Sequence, residues 1–191
     1  MGVEKRMADR CNTIRLYSFQ TDVVYQVLKR DGVCYSKEEY VRKKYKESAK
    51  VFINAYGWFV KEAQHIVPKP EGAEYPYWAF TDLYNVDQTG DGHVLTLDVP
   101  IGEAILFDMF DWTKIMQMHY IGENESEEAT FSEKLKNMGM NEFQIMTSNF
   151  YPEQKARIQE SWKRLFGHQQ AIEAGDNSGV HSVQAGLWCI K

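Results

Sequence analysis

The chain has 191 residues, 43% of them hydrophobic and 14% aromatic, with 22 basic and 27 acidic side chains for a net charge of −5. That length suits one domain able to bury a core without disulfides or metal, and the aromatic load excludes a disordered chain, which lacks the apolar surface needed to offset chain entropy. The mild negative charge disfavours a general phosphate-backbone binder, which needs a concentrated basic surface, so nucleic acid is not the expected partner.

The opening MGVEKRMADRCN is charged and lacks the apolar core of a signal peptide; Arg6 stands where a myristoylation pattern wants Ser or Thr. Residues 1–12 are expected to be flexible. Residues 13–19, TIRLYSF, alternate as a strand, with Ile14, Leu16 and Ser18 on one side and Arg15, Tyr17 and Phe19 on the other. Thr21 and Asp22 offer an N-cap to the helix DVVYQVLKRD, Gly32 stops it, and residues 33–35 return as a short strand. One long helix is predicted over 37–66, charged in its first half and apolar on a helical period in its second, with Gly57 its weak point. The KKYK run within it is interleaved with Glu38, Glu39 and Glu47 and reads as a solvated helix face.

Pro68, Pro70, Gly72 and Pro76 mark an irregular connector, and Tyr75, Tyr77, Trp78 and Phe80 form an aromatic patch expected in the core or a pocket wall. The next segment, HVLTLDVPIGEAILFDMFDW, alternates from His93, breaks at Pro100 and Gly102, resumes through Ala104, Ile105, Leu106 and Phe107, and closes on Asp108, Asp111 and Trp112. It reads as two strands ending in an Asp–Trp cap onto a helix over 111–120. GENESEEA is expected as an acidic exposed loop, and helices follow over 131–138 and 152–166, the second begun by Pro152. The ending VHSVQAGLWCI reads as the last strand. With no internal repeat and no long linker, the expected fold is a single α+β domain over 1–191. Its mixed, mostly antiparallel sheet uses strands near 14–19, 33–35, 93–99, 103–108 and 182–190, with helices packed around it.

Three cysteines, Cys11, Cys34 and Cys189, form no CxxC pair and read as structural thiols of a cytoplasmic protein. No apolar run reaches membrane-spanning length. The five histidines are scattered without HxxxH or HExxH, and GxSxG, Walker and GxGxxG patterns are absent. No metal site is expected from them. Asp87 to Asp98 places Thr89, Asp91 and Gly92 at calcium-loop spacing. Thr89 replaces an acid, Asp98 is shorter than a bidentate Glu, and Pro100 opposes an outgoing helix, so a Gly-rich turn is the preferred reading and a surface calcium site the alternative. Glu103, Asp108 and Asp111 read as strand ends or caps rather than an acid–base group.

Four segments taken in order, RLYSFQTDVVYQVLKRDGV, EGAEYPYWAF, LDVPIGEAILFDMFDW and SVQAGLWCIK, resemble the bacterial domain family DUF3841, a domain of unknown function, over nearly the whole chain. That resemblance implies a coherent fold and brings no activity or cofactor. The layout is also similar to the ADP-ribosyltransferase superfamily: a strand with a basic residue, a helix, Gly, a short strand, and a polar motif on a late strand. This second likeness implies an NAD or related nucleotide ligand. Arg15 takes the first-strand position, Tyr35 or Tyr40 stacks on nicotinamide, and Ser182 and Gln184 fill the late-strand motif. Gln184 stands where that superfamily has Glu, so it cannot stabilise a developing oxocarbenium charge, and catalysis is placed in doubt while binding is not.

Two readings follow. One is an ADP-ribosyltransferase-like protein binding NAD or another nucleotide, with Arg15, Tyr35, Ser182 and Gln184 converging on one pocket. The other is a non-catalytic protein-interaction module, for example in phage–host or toxin–antitoxin conflict, with an exposed apolar patch for a protein partner.

Overall fold

The computed structural model describes residues 13–191, the side chains at 44, 48 and 50 excepted. The expectations for residues 1–12 and Cys11 lie outside the described residues. The first half of the described chain contains β1 (Thr13–Gln20), α1 (Asp22–Asp31), β2 (Cys34–Tyr35), α2 (Glu38–Tyr45), α3 (Ala49–Ala63), β3 (Tyr77–Phe80) and β4 (His93–Pro100). The second half contains β5 (Ala104–Asp108), α4 (Met109–Met116), α5 (Glu125–Asn137), α6 (Glu142–Thr147), α7 (Pro152–Ser161), α8 (Gln169–Glu173), β6 (Val183–Leu187) and β7 (Cys189–Ile190).

Five strands make one sheet in the order β4-β1-β3-β6-β5, and β2 and β7 make a second, two-stranded one. The class is α+β as the sequence indicates, and each ladder is antiparallel rather than mixed. β4 alternates between half-buried and exposed residues along its whole length, as an edge strand with one covered face must. β5 and β6 are buried at every position, which is why AILFD and VQAGL carry no alternation.

β4 and β5 lie on opposite edges of the sheet, yet only the 3-10 turn Ile101–Glu103 separates them in sequence. Four strand spacings in a flat sheet amount to about 19 Å, whereas the four backbone steps from Pro100 to Ala104 reach about 14 Å at full extension. The sheet therefore coils until its two edges approach at this corner. Its concave interior holds Leu16, Tyr77, Ala79, Leu106, Ala185 and Leu187, closed by Val24, Val27 and Leu28 of α1 and Ile172 of α8. On the outer face Phe59 of α3 packs on Trp78, Phe107 and Trp112 within the larger core. That helical layer sits over β3, β6 and β5, while Arg15, Thr96 and Asp98 on β1 and β4 remain exposed.

Four expectations need correction. The helix predicted over 37–66 is two helices, broken at Lys46, whose φ of +47° leaves the helical region; Gly57, the expected weak point, lies inside α3. The aromatic patch supplies β3, a central strand absent from the predicted set, because Pro76 and four aromatics masked a four-residue strand. GENESEEA is not a loop: Asn124 caps α5 by accepting from the Glu127 N–H at 3.0 Å, and Glu125, Glu127 and Glu128 occupy its first turn, where the helix dipole favours acids. The single final strand is two, since Trp188 turns the chain from the large sheet to the small one.

Candidate functional site

The corner where β4 bends into β5 opens into a groove of about 340 Å³, within the size range of small-ligand sites. One wall comes from the end of β4, another from Leu187 through Lys191, and the third from Tyr35 with the connector residues Val67, Pro68 and Pro70. One hydrogen bond ties two of these walls together. The buried Trp188 donates its Nε1–H to the Val67 carbonyl at 2.7 Å, which ties the connector to the last strands. Gly72, at φ +93°, runs flat beside the Tyr35 ring, a backbone conformation that an L side chain rarely takes.

Polar groups sit at the rim. Asp98 accepts two hydrogen bonds from Arg15, from Nε at 2.8 Å and Nη2 at 3.1 Å. This hydrogen bonding holds the Asp98 carboxyl below the usual carboxylate range and raises Arg15. On the other lip Lys191 Nζ lies 2.6 Å from Glu103 Oε2, and that hydrogen bond raises the lysine pKa. Burial pushes the Cys189 thiol up, so it stays protonated and acts as wall rather than nucleophile. The groove thus combines an aromatic and proline surface, two carboxylates and one cation, with Arg15 behind Asp98.

Tyr35 lines this groove, whereas Arg15 does not and bonds one of its lining residues, Asp98. Tyr40 is exposed on α2 and does not line it. Ser182 and Gln184 stand elsewhere. The Ser182 hydroxyl accepts from Asn85 Nδ2 at 2.6 Å. Gln184 is buried in a row with Tyr17, Phe80 and Phe107 across four strands. The β3 strand separates it from β1, which puts its Cα about 12 Å from that of Arg15 by strand geometry. Arg15 instead turns toward β4 and Asp98.

Asp87 accepts from the Thr89 backbone N–H at 3.0 Å and hydroxyl at 2.6 Å, closing a local turn with Gly90 at φ +107°. Asp98 is turned to Arg15, and no group of three His, Cys, Asp or Glu side chains suited to a metal gathers among the described residues. Also among the described residues, no helix is long and apolar enough to cross a membrane.

Two buried carboxylates, each paired with a histidine, were not foreseen as pairs. Asp108, 4% exposed, accepts from the backbone N–H groups of His181, Phe110 and Ser182 and from His181 Nδ1. Glu142, 8% exposed, accepts from Tyr120 N–H and pairs with His119 Nδ1. Separations of 73 and 23 residues leave no local sequence signal for either. Only the capping role of Asp108 was readable, from its place between an apolar strand and a helix.

A family model described as a domain of unknown function, DUF3841, matches residues 15–191. No curated protein and no solved structure gives a match.

Proposed function

Because the chain belongs to the DUF3841 family across residues 15–191, whose description carries no activity, we propose from the groove itself that the domain binds a nucleotide, NAD first among them. The observation that supports this reading is the composition of one 340 Å³ groove: Tyr35, Pro68 and Pro70 as an apolar stacking surface, Asp98 and Glu103 as acceptors, and Lys191 as a lining cation, with Arg15 paired to Asp98 just outside it. A purine or nicotinamide ring stacks on Tyr35, an interaction worth about 1–3 kcal/mol per base. Ribose hydroxyls donate to Asp98 and Glu103, and phosphate oxygens accept from Arg15 and Lys191. Ser182 and Gln184 take no part in this contact. The neutral Gln184 offers no charge to an oxocarbenium ion, so the activity proposed is binding rather than ribosyl transfer.

The test is a thermal-unfolding series with NAD, ADP-ribose, AMP and nicotinamide mononucleotide. A ligand at about 100 times its Kd adds about 2.7 kcal/mol, or about 5–10 °C for a domain of this size. Tyr35→Ala should abolish the shift. No shift with any of the four at millimolar concentration, or an undiminished shift in Tyr35→Ala, would overturn the assignment.

A further inference from the structure

We propose that the surface between α5 and α7 docks an acidic amphipathic helix of a partner protein. Phe131, Lys134 and Leu135 of α5, with Met138 just past its end, face Glu153, Gln154 and Arg157 of α7 across a channel of about 170 Å³ between the two helices. A channel between two helix faces accepts a third helix through ridges-into-grooves packing.

Large side chains stand exposed on the segments that lead into it: Met138 lines the channel, Phe150 and Tyr151 immediately precede α7, and Phe143 is on α6. Phe150 is 73% exposed, Met138 50%, Phe143 49% and Tyr151 44%. Phe150 and Tyr151 are held in place rather than left loose. Lys155 Nζ donates to the Ser148 carbonyl at 2.9 Å, the Ser148 hydroxyl accepts from Phe150 N–H at 3.2 Å, and the two rings meet edge to face at 6.4 Å. Tyr151 adopts φ +60° and ψ +51° at the start of α7, a left-handed conformation that is costly for a bulky residue without a polar side chain to bond locally. The strain presents two adjacent aromatic side chains to solvent, the kind of outlier that collects at binding surfaces. A prearranged pair loses little side-chain entropy on binding.

Charge sets the partner's chemistry. Lys134 and Arg157 lie on the two sides of the channel, and neither has a carboxylate within ion-pair distance among the described residues; Arg157 instead stacks over the Phe131 ring at 5.2 Å. Glu153 is the one acid among the lining residues. Two cations against one acid in the lining, within a chain of net charge −5, call for Asp and Glu flanking an apolar stripe at i, i+3, i+4 and i+7. This site is independent of the nucleotide groove.

The experiment is selection of a displayed library of helical peptides against the folded full chain, followed by fluorescence anisotropy of the enriched peptides. The expected consensus is acidic and amphipathic. Binding should weaken at least tenfold in Phe150→Ala and in Arg157→Glu and fall with added salt. It should be unchanged in Tyr84→Ala, whose ring is 93% exposed elsewhere. Circular dichroism melts check that all three variants stay folded. Enriched peptides that are basic, or that bind both site variants as well as the parent chain, would overturn the proposal, as would a library with no enrichment. A concentration-dependent dimer lost in Phe150→Ala assigns the surface to a second copy of this chain and equally overturns it.

Discussion

His181 gives Asp108 two hydrogen bonds, one from its backbone N–H at 3.0 Å and one from ring Nδ1 at 2.9 Å. Because an ionised carboxylate only accepts, the Nδ1 must carry the proton, and the imidazole lies beside the Phe110 ring, with centroids 4.9 Å apart. The pair ties the entry of β6 to the end of β5 and to the first turn of α4. Burial works to raise the Asp108 pKa, but the hydrogen bonds from His181, Phe110 and Ser182 outweigh it, so the carboxyl titrates below its ordinary value.

A depressed carboxylate pKa stabilises the fold fully above the unfolded value of about 3.9 and loses that contribution as pH falls through the lower folded value. The Asp108 contribution is therefore expected to begin falling below about pH 4 and to be gone only once pH has passed the lower folded value. Asp108→Asn, which cannot accept the full set of bonds, should cost about 2–3 kcal/mol at neutral pH. Urea denaturation at pH 7 and pH 3 measures both, and an unchanged midpoint in Asp108→Asn at pH 7 would contradict the assignment.

His119 titrates in the opposite sense. Its hydrogen bond to Glu142 raises its pKa above the usual histidine value, against the effect of burial. The stabilisation is complete below the unfolded pKa of about 6.5 and is lost as pH rises through the higher folded value. Since the ring is 48% exposed, solvent screening holds the contribution to no more than about 1 kcal/mol. Melting temperature followed from pH 6 to pH 9 should fall for the parent chain. The His119-dependent part of that fall should vanish in His119→Gln.

Gly186 sits under Phe59: a Cβ there would lie 2.9 Å from Phe59 Cζ, inside contact distance. Phe59 is fully buried among Trp78, Phe107 and Trp112 and has no room to retreat. Gly186→Ala should therefore cost about 1–3 kcal/mol by overpacking. Adding Phe59→Leu should recover part of that loss, although Phe59→Leu alone destabilises. Chemical denaturation of the two single variants and the double variant gives the coupling, and strict additivity would refute the contact.

Arg15 separates binding from stability. Its pairing with Asp98 is solvent-exposed on both sides, with 63% and 56% of the side chains accessible, and exposed pairs of this kind add little to folding. Arg15→Ala should leave the melting temperature of the free protein unchanged and weaken nucleotide binding about tenfold. Calorimetric titration with NAD and AMP reads the second effect. Equal affinity in the variant would remove Arg15 from the site.

What the sequence shows and what it conceals divide along physical lines. β1, α1 and the stop at Gly32 were readable because each carries a local signal: alternation, a cap-flanked periodic stretch, and a residue able to take φ +74°. The break at Lys46 had no such mark, since neither Gly nor Pro stands there and the strain is held by packing of α2 on α3. Tyr35 and Arg15 could be singled out by residue type and position. The gathering of Tyr35, Asp98, Glu103 and Lys191 at one groove depends on how far the sheet coils, which no pattern of neighbours encodes. The same holds for Gln184: its strand was expected, but the β3 strand between it and Arg15 was not.

The short turn Ile101–Glu103 does two jobs at once, drawing the sheet's edges together and delivering Glu103 to the groove. A flattened or partly opened sheet would hold no half-built version of the site, because one wall belongs to the edge strand β4 and the facing wall to the end of β6 and to β7. Sheet closure and ligand uptake are in that case a single equilibrium, and whatever occupies the groove shifts the population toward the closed form by its full binding free energy. Lengthening the turn by even a few residues would slacken that clasp and tax affinity without touching any contact with the ligand.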